Sequence, residues 1–199
     1  LQDQEYFVRS EARKQVFFEA TGWSPGEKWI RLWGSERDIL QGGQGIRGRI
    51  ANTVGNRLMI NAFRMTPAIM RQHIGVLNQQ GPALIHAYAQ AAYELARFAE
   101  REGIEIRPQR AVVSTSGTLY PAMRQTMERS FGCKVFDQYG SREVSVIAGD
   151  CGHSRGEHVA METNLVEIVD ESGVSCPAGV EGDILVTSLT NFAMPLIRY

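Results

Sequence analysis

The most informative stretch of this chain is residues 133–143, which read Cys-Lys-Val-Phe-Asp-Gln-Tyr-Gly-Ser-Arg-Glu. Its first part, residues 133–136, is a short apolar run that predicts a buried β-strand. The run leads into a turn that contains Gly140 and ends in the carboxylate of Glu143. Open α/β sheets bind ligands in the loops at the carboxyl ends of their strands. We therefore predict a ligand-binding loop directly after this strand.

The chemistry of this loop is that of a nucleotide site. Tyr139 offers an aromatic face for a base, and Gly140 lets a ligand approach the backbone closely. The carboxylate of Glu143 is the kind of ligand that magnesium prefers. The alternative interpretation is a strand-to-strand turn with a surface glutamate, and these residues alone leave both open.

Helical and strand patterns alternate in the middle of the chain, and strand patterns cluster toward its end. The first arrangement is typical of a parallel sheet covered by helices, and the second of an added antiparallel layer. We therefore predict an α/β fold with a mostly parallel sheet flanked by helices and a strand-rich C-terminal part. The predicted helices cover residues 1–22, 67–80, 82–101 and 121–131, and the predicted strands cover residues 29–33, 57–62, 110–113, 133–136, 144–148, 165–169 and 183–186.

The composition is that of an ordinary globular chain. With 199 residues, it is long enough to bury a substantial core, so one globular unit over residues 1–199 is expected. The net charge of −1 gives no electrostatic basis for binding nucleic acid or an anionic membrane. The three cysteines do not form a disulfide framework, which favours a reducing, cytoplasmic location.

Further motifs occur in a fixed order around the tyrosine-glycine turn. Residues 113–119 read Val-Ser-Thr-Ser-Gly-Thr-Leu and precede a predicted helix, and the chain closes with Met-Pro-Leu-Ile-Arg-Tyr at 194–199. This order resembles the adenylate-forming ligases, within them the branch of phenylacetate-CoA ligases and CapK-type proteins of polysaccharide gene clusters. The resemblance runs from about Trp33 to Tyr199 and is strongest from Ala111 onward.

The resemblance implies an ATP-dependent ligase that activates a small carboxylic acid as an acyl-adenylate. Magnesium would assist, coenzyme A would be the final acceptor, and the acid would be aromatic, such as phenylacetate. By the same resemblance Glu143 is the catalytic magnesium ligand and Tyr139 lies against adenine. The other implied nucleotide-binding residues are Ser116, Gly117 and Thr118, which would border the base and acyl pockets, and Gln138, Gly140, Ser141 and Arg142.

The chain departs from the wider pattern of these ligases at two positions. Arg142 stands where a Thr or Ser hydroxyl usually meets the phosphate, and Gly117 stands where a Glu is common. An arginine there could bind a phosphate through two hydrogen bonds or could pair with Glu143. Gly117 makes any inference about the acid from that position unsafe.

The resemblance also implies that the chain is a fragment of the large domain. A Ser/Thr/Gly-rich phosphate loop is expected before Trp33, and a C-terminal lid domain with a catalytic lysine after Tyr199. Alone, the chain is expected not to complete catalysis. The alternative function is that of a noncatalytic adenylation-like protein with a binding or assembly role in a polysaccharide pathway. For either function, the sequence leaves open whether the protein forms a homodimer.

A second group of residues has the chemistry of a zinc site. It consists of Cys151, His153 and His158, with Cys176 further along the chain. Sulfur and imidazole are ligands that zinc prefers, and a complete set would make the site structural. The alternative is a surface turn with incidental histidines.

The remaining conspicuous side chains are predicted to be structural. His73 and His86 fall within predicted amphipathic helices, at the surface or at the edge of the core. Tyr88 is expected to pack against a helix, with an aromatic-acid pocket as the alternative. Cys133 opens a buried strand and is expected to be inert, while Trp23, Trp29 and Trp33 are expected to anchor the core.

Overall fold

The computed structural model describes residues 2–34, 50, 52–153 and 156–199. Contacts within the chain divide it into two compact units. The parallel-sheet unit comprises residues 18–137, and the antiparallel unit comprises residues 1–17 and 138–199. The role of residues 1–199 as one unit of a larger adenylation domain stays a prediction.

The secondary structure alternates in the first unit and is dominated by strands in the second. The described helices are α1 (Gln4–Glu19), α2 (Pro67–Gln80), α3 (Ala89–Glu102) and α4 (Pro121–Phe131). The described strands are β1 (Trp29–Trp33), β2 (Arg57–Asn61), β3 (Leu84–Tyr88), β4 (Ala111–Thr115), β5 (Val135–Ser141), β6 (Ser145–Asp150), β7 (Glu157–Val159), β8 (Asn164–Val169) and β9 (Asp183–Ser188).

A parallel sheet forms the centre of the parallel-sheet unit. β1 pairs in parallel with both β2 and β3, and β3 pairs in parallel with β4, giving the order β2-β1-β3-β4. All five residues of β4 are buried, as expected for a strand covered on both faces. The helices cover the sheet with large apolar side chains that include Ile74, Leu77, Leu95, Phe98, Met127 and Phe131. The prediction of a mostly parallel sheet flanked by helices is confirmed.

Local signals set the limits of the helices. The Thr66 hydroxyl accepts a hydrogen bond from the backbone N–H of Ile69, and Pro67 opens α2 with its φ already fixed for a helix. α4 ends at Gly132, whose φ of 61° is the left-handed conformation that glycine adopts without strain. Helix α4 therefore has the predicted limits.

The prediction of a helix over residues 82–101 is wrong in its first part. Leu84–Tyr88 is strand β3, and the helix begins only at Ala89. The first four residues of the strand are buried. Its apolar residues were interpreted as one face of a helix, but they belong to a strand that is buried on both faces. A short, continuously apolar run cannot be assigned to helix or strand from its periodicity alone.

Helix α4 also holds the start of β5. The Arg124 guanidinium donates a hydrogen bond to the carbonyl oxygen of Val135. Glu128, one turn later on the helix, accepts a hydrogen bond of 3.2 Å from the backbone N–H of the same residue. Both backbone groups of the first residue of β5 are therefore satisfied by side chains of α4.

The antiparallel unit is built of hairpins. β6 pairs antiparallel with β5 and β7, and β8 and β9 form a separate two-stranded sheet. Phe17, near the end of α1, packs with Val146 and Ala160. The strand-rich C-terminal part is thus confirmed, although β7 was missed because it is only three residues long and its pattern is polar. Within the described residues, none of the helices is long and apolar enough to cross a membrane.

Candidate functional site

The residues predicted as a loop after Phe136 form a hairpin in the antiparallel unit. Strand β5 continues to Ser141, so Tyr139 and Gly140 lie in a strand and not in a loop. The chain then returns through Arg142 and Glu143 into β6. The pairing register of β5 and β6 shifts between Tyr139 and Gly140. Such β-bulges occur frequently beside active sites because they redirect the side chains around them.

The structure explains why glycine occupies position 140. A Cβ atom there would lie 2.4 Å from the carbonyl oxygen of Ser145 and 3.2 Å from its carbonyl carbon. No side chain fits at that distance from the backbone of β6. The sequence predicts a close approach by a ligand, and the close approach found here is that of the neighbouring strand.

Ser141 organises the turn that carries Glu143. Its Oγ accepts hydrogen bonds from the backbone N–H groups of Glu143 and Val144, at 3.2 and 3.3 Å. The pKa of Glu143 is lowered, first by a hydrogen bond with the Ser141 side chain and then by its own backbone N–H; burial opposes this shift, and the charge of Arg142 adds the smallest lowering effect. The carboxylate of Glu143 is therefore anionic at neutral pH.

An anionic carboxylate at this turn fits a magnesium ligand. Magnesium is usually held by one or two carboxylates together with substrate phosphates and water, and does not need a cage of protein ligands. The Glu143 side chain is only partly buried, so its oxygens can reach a ligand. The chemistry of the turn therefore agrees with the predicted magnesium role, which remains a prediction.

The hairpin brings together the predicted nucleotide-binding residues of β5. Tyr139 exposes 44% of its surface, which leaves an aromatic face accessible. Gln138 is buried and paired with Gly149 of β6. Arg142 is exposed at the turn. On this hairpin Tyr139 and Arg142 are exposed while Gln138 is buried, and the roles of residues 138–143 toward a nucleotide remain predictions.

The remaining predicted nucleotide-binding residues lie in the parallel-sheet unit. Ser116, Gly117 and Thr118 follow the buried strand β4 directly and are all exposed, at the carboxyl end where α/β sheets bind ligands. Ser116 has a φ of 57°, an unusual conformation for a residue with a side chain. Such conformations cost on the order of 1–3 kcal/mol and cluster at functional sites.

A cluster of aromatic and cationic side chains lies near the same edge of the parallel-sheet unit. The rings of Trp33 and Tyr88, at the carboxyl ends of β1 and β3, lie 4.2 Å apart between centroids. The guanidinium of Arg31 lies 4.1 Å from the Trp33 ring, and the His86 ring lies 5.2 Å from it. Tyr88 packs against the helix-covered core of this unit as well as against Trp33. Trp33 is half-buried and is not a fully buried core anchor.

The sequence carried a signal for this cluster that was missed. Arg31 and Trp33 are two residues apart in β1, as are His86 and Tyr88 in β3, so each pair lies on one face of its strand. Arg31 is paired with His86 in the sheet, which places the two pairs side by side. Reading β3 as helix concealed this alternation.

Several side chains predicted to be structural are buried. His73 and His86 are both buried, so the prediction of a surface or core-edge position is wrong for both, and His86 lies on a strand. Burial raises the pKa of the Cys133 thiol to about 12, with a further contribution from the charge of Glu128. This pKa agrees with an unreactive Cys133. Trp23 and Trp29 are buried and confirmed as core residues.

Three of the four predicted zinc ligands line one cavity of the antiparallel unit. Cys151, His153 and His158 border a space of about 580 Å³, and the Cys151 Sγ lies 2.9 Å from Nε2 of His158. Cys176 is not among the lining residues. Its backbone N–H donates a hydrogen bond to the carbonyl oxygen of Ile168 in β8. Across the described residues, no three His, Cys, Asp or Glu side chains are placed to hold a metal ion.

The contact between Cys151 and His158 is too short for two ligands of one zinc ion. Zinc–sulfur and zinc–nitrogen bonds in a tetrahedral site place the two ligand atoms about 3.6 Å apart. The observed 2.9 Å is the distance of a hydrogen bond, so the pair would have to open by about 0.7 Å to admit the ion. The described geometry therefore supports a hydrogen-bonded thiol and imidazole, and zinc binding stays a prediction.

Comparison with known proteins finds curated relatives that share part of this sequence. Protein CapK of Staphylococcus aureus is 28% identical over 148 residues, which cover 72% of this chain and 31% of CapK. A phenylacetate-coenzyme A ligase of Thermus thermophilus is 27% identical over 187 residues, covering 90% of this chain and 40% of the ligase. The chain thus spans less than half the length of these relatives. No family model matches it.

Solved structures share the fold over nearly the whole chain. An open conformation of 2-hydroxyisobutyryl-CoA ligase, in complex with 2-HIB-AMP and CoA, superposes with a TM-score of 0.75. The match covers 97% of this chain and 43% of that chain at 17% sequence identity. At this level of identity the likeness concerns the fold.

Proposed function

We propose that the intact protein activates a carboxylic acid as its acyl-adenylate and then transfers the acyl group to the thiol of coenzyme A, with release of AMP. The chain has the sequence relatives and the fold of the adenylate-forming superfamily. The observation that carries the proposal is the turn at Glu143. A carboxylate with a lowered pKa, that of Glu143, and an exposed aromatic ring, that of Tyr139, lie on the same hairpin. A turn that served only to connect two strands would need neither group.

Adenylation joins two anions, because the carboxylate of the acid attacks the α-phosphate of ATP and pyrophosphate leaves. Bound magnesium neutralises the charge that develops on the phosphate oxygens. In this proposal Glu143 holds the ion, and the exposed Arg142 donates hydrogen bonds to a phosphate oxygen. The ring of Tyr139 stacks against adenine.

We assign the acid to the aromatic class. The exposed Ser116–Thr118 turn and the Trp33–Tyr88 pair follow neighbouring strands of the parallel-sheet unit at their carboxyl ends. A half-buried pair of rings in contact, tilted by 40°, favours an aromatic over a short aliphatic acid, because aromatic pairs gain about 0.5–1.5 kcal/mol beyond the burial of area. The name of the relative from Thermus thermophilus, a phenylacetate-coenzyme A ligase, agrees with this assignment.

A noncatalytic binding or assembly role is the second candidate, since one relative of the chain, Protein CapK, has a name that states no enzymatic activity. Such a protein has no need of an anionic side chain that is kept accessible for a metal. The accessible carboxylate at position 143 therefore favours the ligase.

Acid-dependent exchange between ATP and pyrophosphate tests the proposal on the intact protein. We expect exchange with magnesium and aryl acids, weaker exchange with short aliphatic acids, and none without an acid. A folded, magnesium-supplied protein that gives no exchange with any acid would refute the ligase and favour the binding role. Exchange only with aliphatic acids would refute the aromatic assignment alone.

A further inference from the structure

The start of helix α1 contacts the turn that carries Glu143, within the antiparallel unit. The Tyr6 hydroxyl donates a hydrogen bond of 3.3 Å to the carbonyl oxygen of Glu143. Gln2 Nε2 donates one of 3.2 Å to the carbonyl oxygen of Arg142. Two consecutive carbonyls of the turn are thus bound by side chains about 140 residues away in sequence.

Burial of its side chain and a hydrogen bond of its backbone N–H hold Tyr6 in place. Its side chain is only 2% exposed, and its backbone N–H donates to Oδ1 of Asp3 at 2.7 Å, which caps the helix. The phenolic hydroxyl is a hydrogen-bond donor at neutral pH. The ring therefore presents its O–H from a fixed position.

The turn is held from two directions. Ser141 Oγ binds the N–H groups of Glu143 and Val144, and Tyr6 binds the carbonyl of Glu143. The backbone of Glu143 is thus fixed at both its donor and its acceptor. Its carboxylate stays partly exposed. Bonds that orient a metal ligand in this way commonly set how well it binds the ion.

We propose that Tyr6 is a positioning residue for Glu143: its hydroxyl fixes the Arg142–Glu143 turn and so sets the affinity of the Glu143 carboxylate for magnesium. This inference rests on the proposed function of that turn. Tyr6 itself touches neither substrate nor metal. Removing one neutral hydrogen bond should weaken the response to magnesium by about 2- to 10-fold.

The test compares Tyr6→Phe with Tyr93→Phe in the intact protein. Tyr6→Phe keeps the buried ring and deletes only the hydroxyl. Tyr93 is half-buried on α3, in the parallel-sheet unit, and serves as the matched control. Two quantities are measured: hydrogen–deuterium exchange at the amides of Glu143 and Val144, and the free magnesium concentration that half-saturates ATP–pyrophosphate exchange.

In Tyr6→Phe we expect faster amide exchange at residues 143–144 and a half-saturating magnesium concentration raised by about 2- to 10-fold. The KM for the acid should not change, and Tyr93→Phe should behave as wild type. Identical values in the two variants overturn the inference. A change in only one of the two quantities also overturns it, because the effect would then not pass from the turn to the metal.

Failure of the proposed function would look different. If wild-type protein gives no pyrophosphate exchange with any acid, the proposed function fails, and the inference about magnesium falls with it whatever the amides show. When wild type is active, only the comparison between the two variants decides the role of Tyr6.

Discussion

Replacing Gly140 by alanine tests the packing of the bulged hairpin. The new Cβ would stand 2.4 Å from the Ser145 carbonyl oxygen, about 1 Å inside normal contact distance. The atom it meets belongs to the backbone of β6, so the hairpin must open to relieve the clash. Overpacking of this kind typically costs about 1–3 kcal/mol of unfolding free energy. For a chain of this size that corresponds to a melting temperature lowered by about 2–12 °C.

Gly75→Ala is the matched control for this experiment. Gly75 lies inside helix α2, and a Cβ there has no other atom within 4 Å. The same substitution should therefore raise stability by up to about 1 kcal/mol, because alanine has the higher helix propensity. Melting temperatures of both variants are measured by calorimetry on the intact protein. A Gly140→Ala protein as stable as wild type, with Gly75→Ala behaving as expected, would refute the packing argument.

Three further substitutions test the site and its surroundings. Glu143→Gln should lower pyrophosphate exchange by about 100-fold or more at an unchanged melting temperature, since a neutral amide replaces the proposed metal ligand; unchanged turnover contradicts the assignment. Cys151→Ser should lower both zinc content and melting temperature if the predicted zinc site exists, and wild-type protein purified without zinc disposes of it. Burial lowers the pKa of His73, so its neutral form is favoured on folding, and the unfolding free energy should fall as the pH drops below about 6.5. In His73→Met the unfolding free energy, measured by denaturant titration, should fall less steeply below about pH 6.5. The same slope in the variant and in wild type would contradict this role of His73.

Short-range signals predicted most of the elements of this fold. Helix α4 has its predicted limits because Pro121 and Gly132 are backbone signals that act without tertiary context. Strand β1 was equally well predicted by its alternation. Strand β3 was not, because four consecutive residues of it are buried and so give no alternation of exposed and buried positions. Periodicity alone carries no information about such burial.

In the candidate site, too, the residue types could be predicted from the sequence, whereas the contacts between distant residues could not. The residue types at Tyr139 and Glu143 pointed to nucleotide chemistry, and the structure shows one ring exposed and one carboxylate with a lowered pKa. The reason for Gly140 was misjudged, because the strand that requires it follows the turn. The contact from Tyr6 could not be read from sequence at all, since it joins residues 137 positions apart.

The hydrogen bonds from α4 to the first residue of β5 limit where this protein can be recombined with its relatives. Arg124 and Glu128 serve the two backbone groups of Val135, so the helix and the strand depend on each other. A chimera with a crossover between residues 131 and 135 would join a helix and a strand selected in different proteins. Crossovers placed before Pro121 or after Ser141 would transfer the pair intact. Functional chimeras should therefore inherit residues 121–141 as one block.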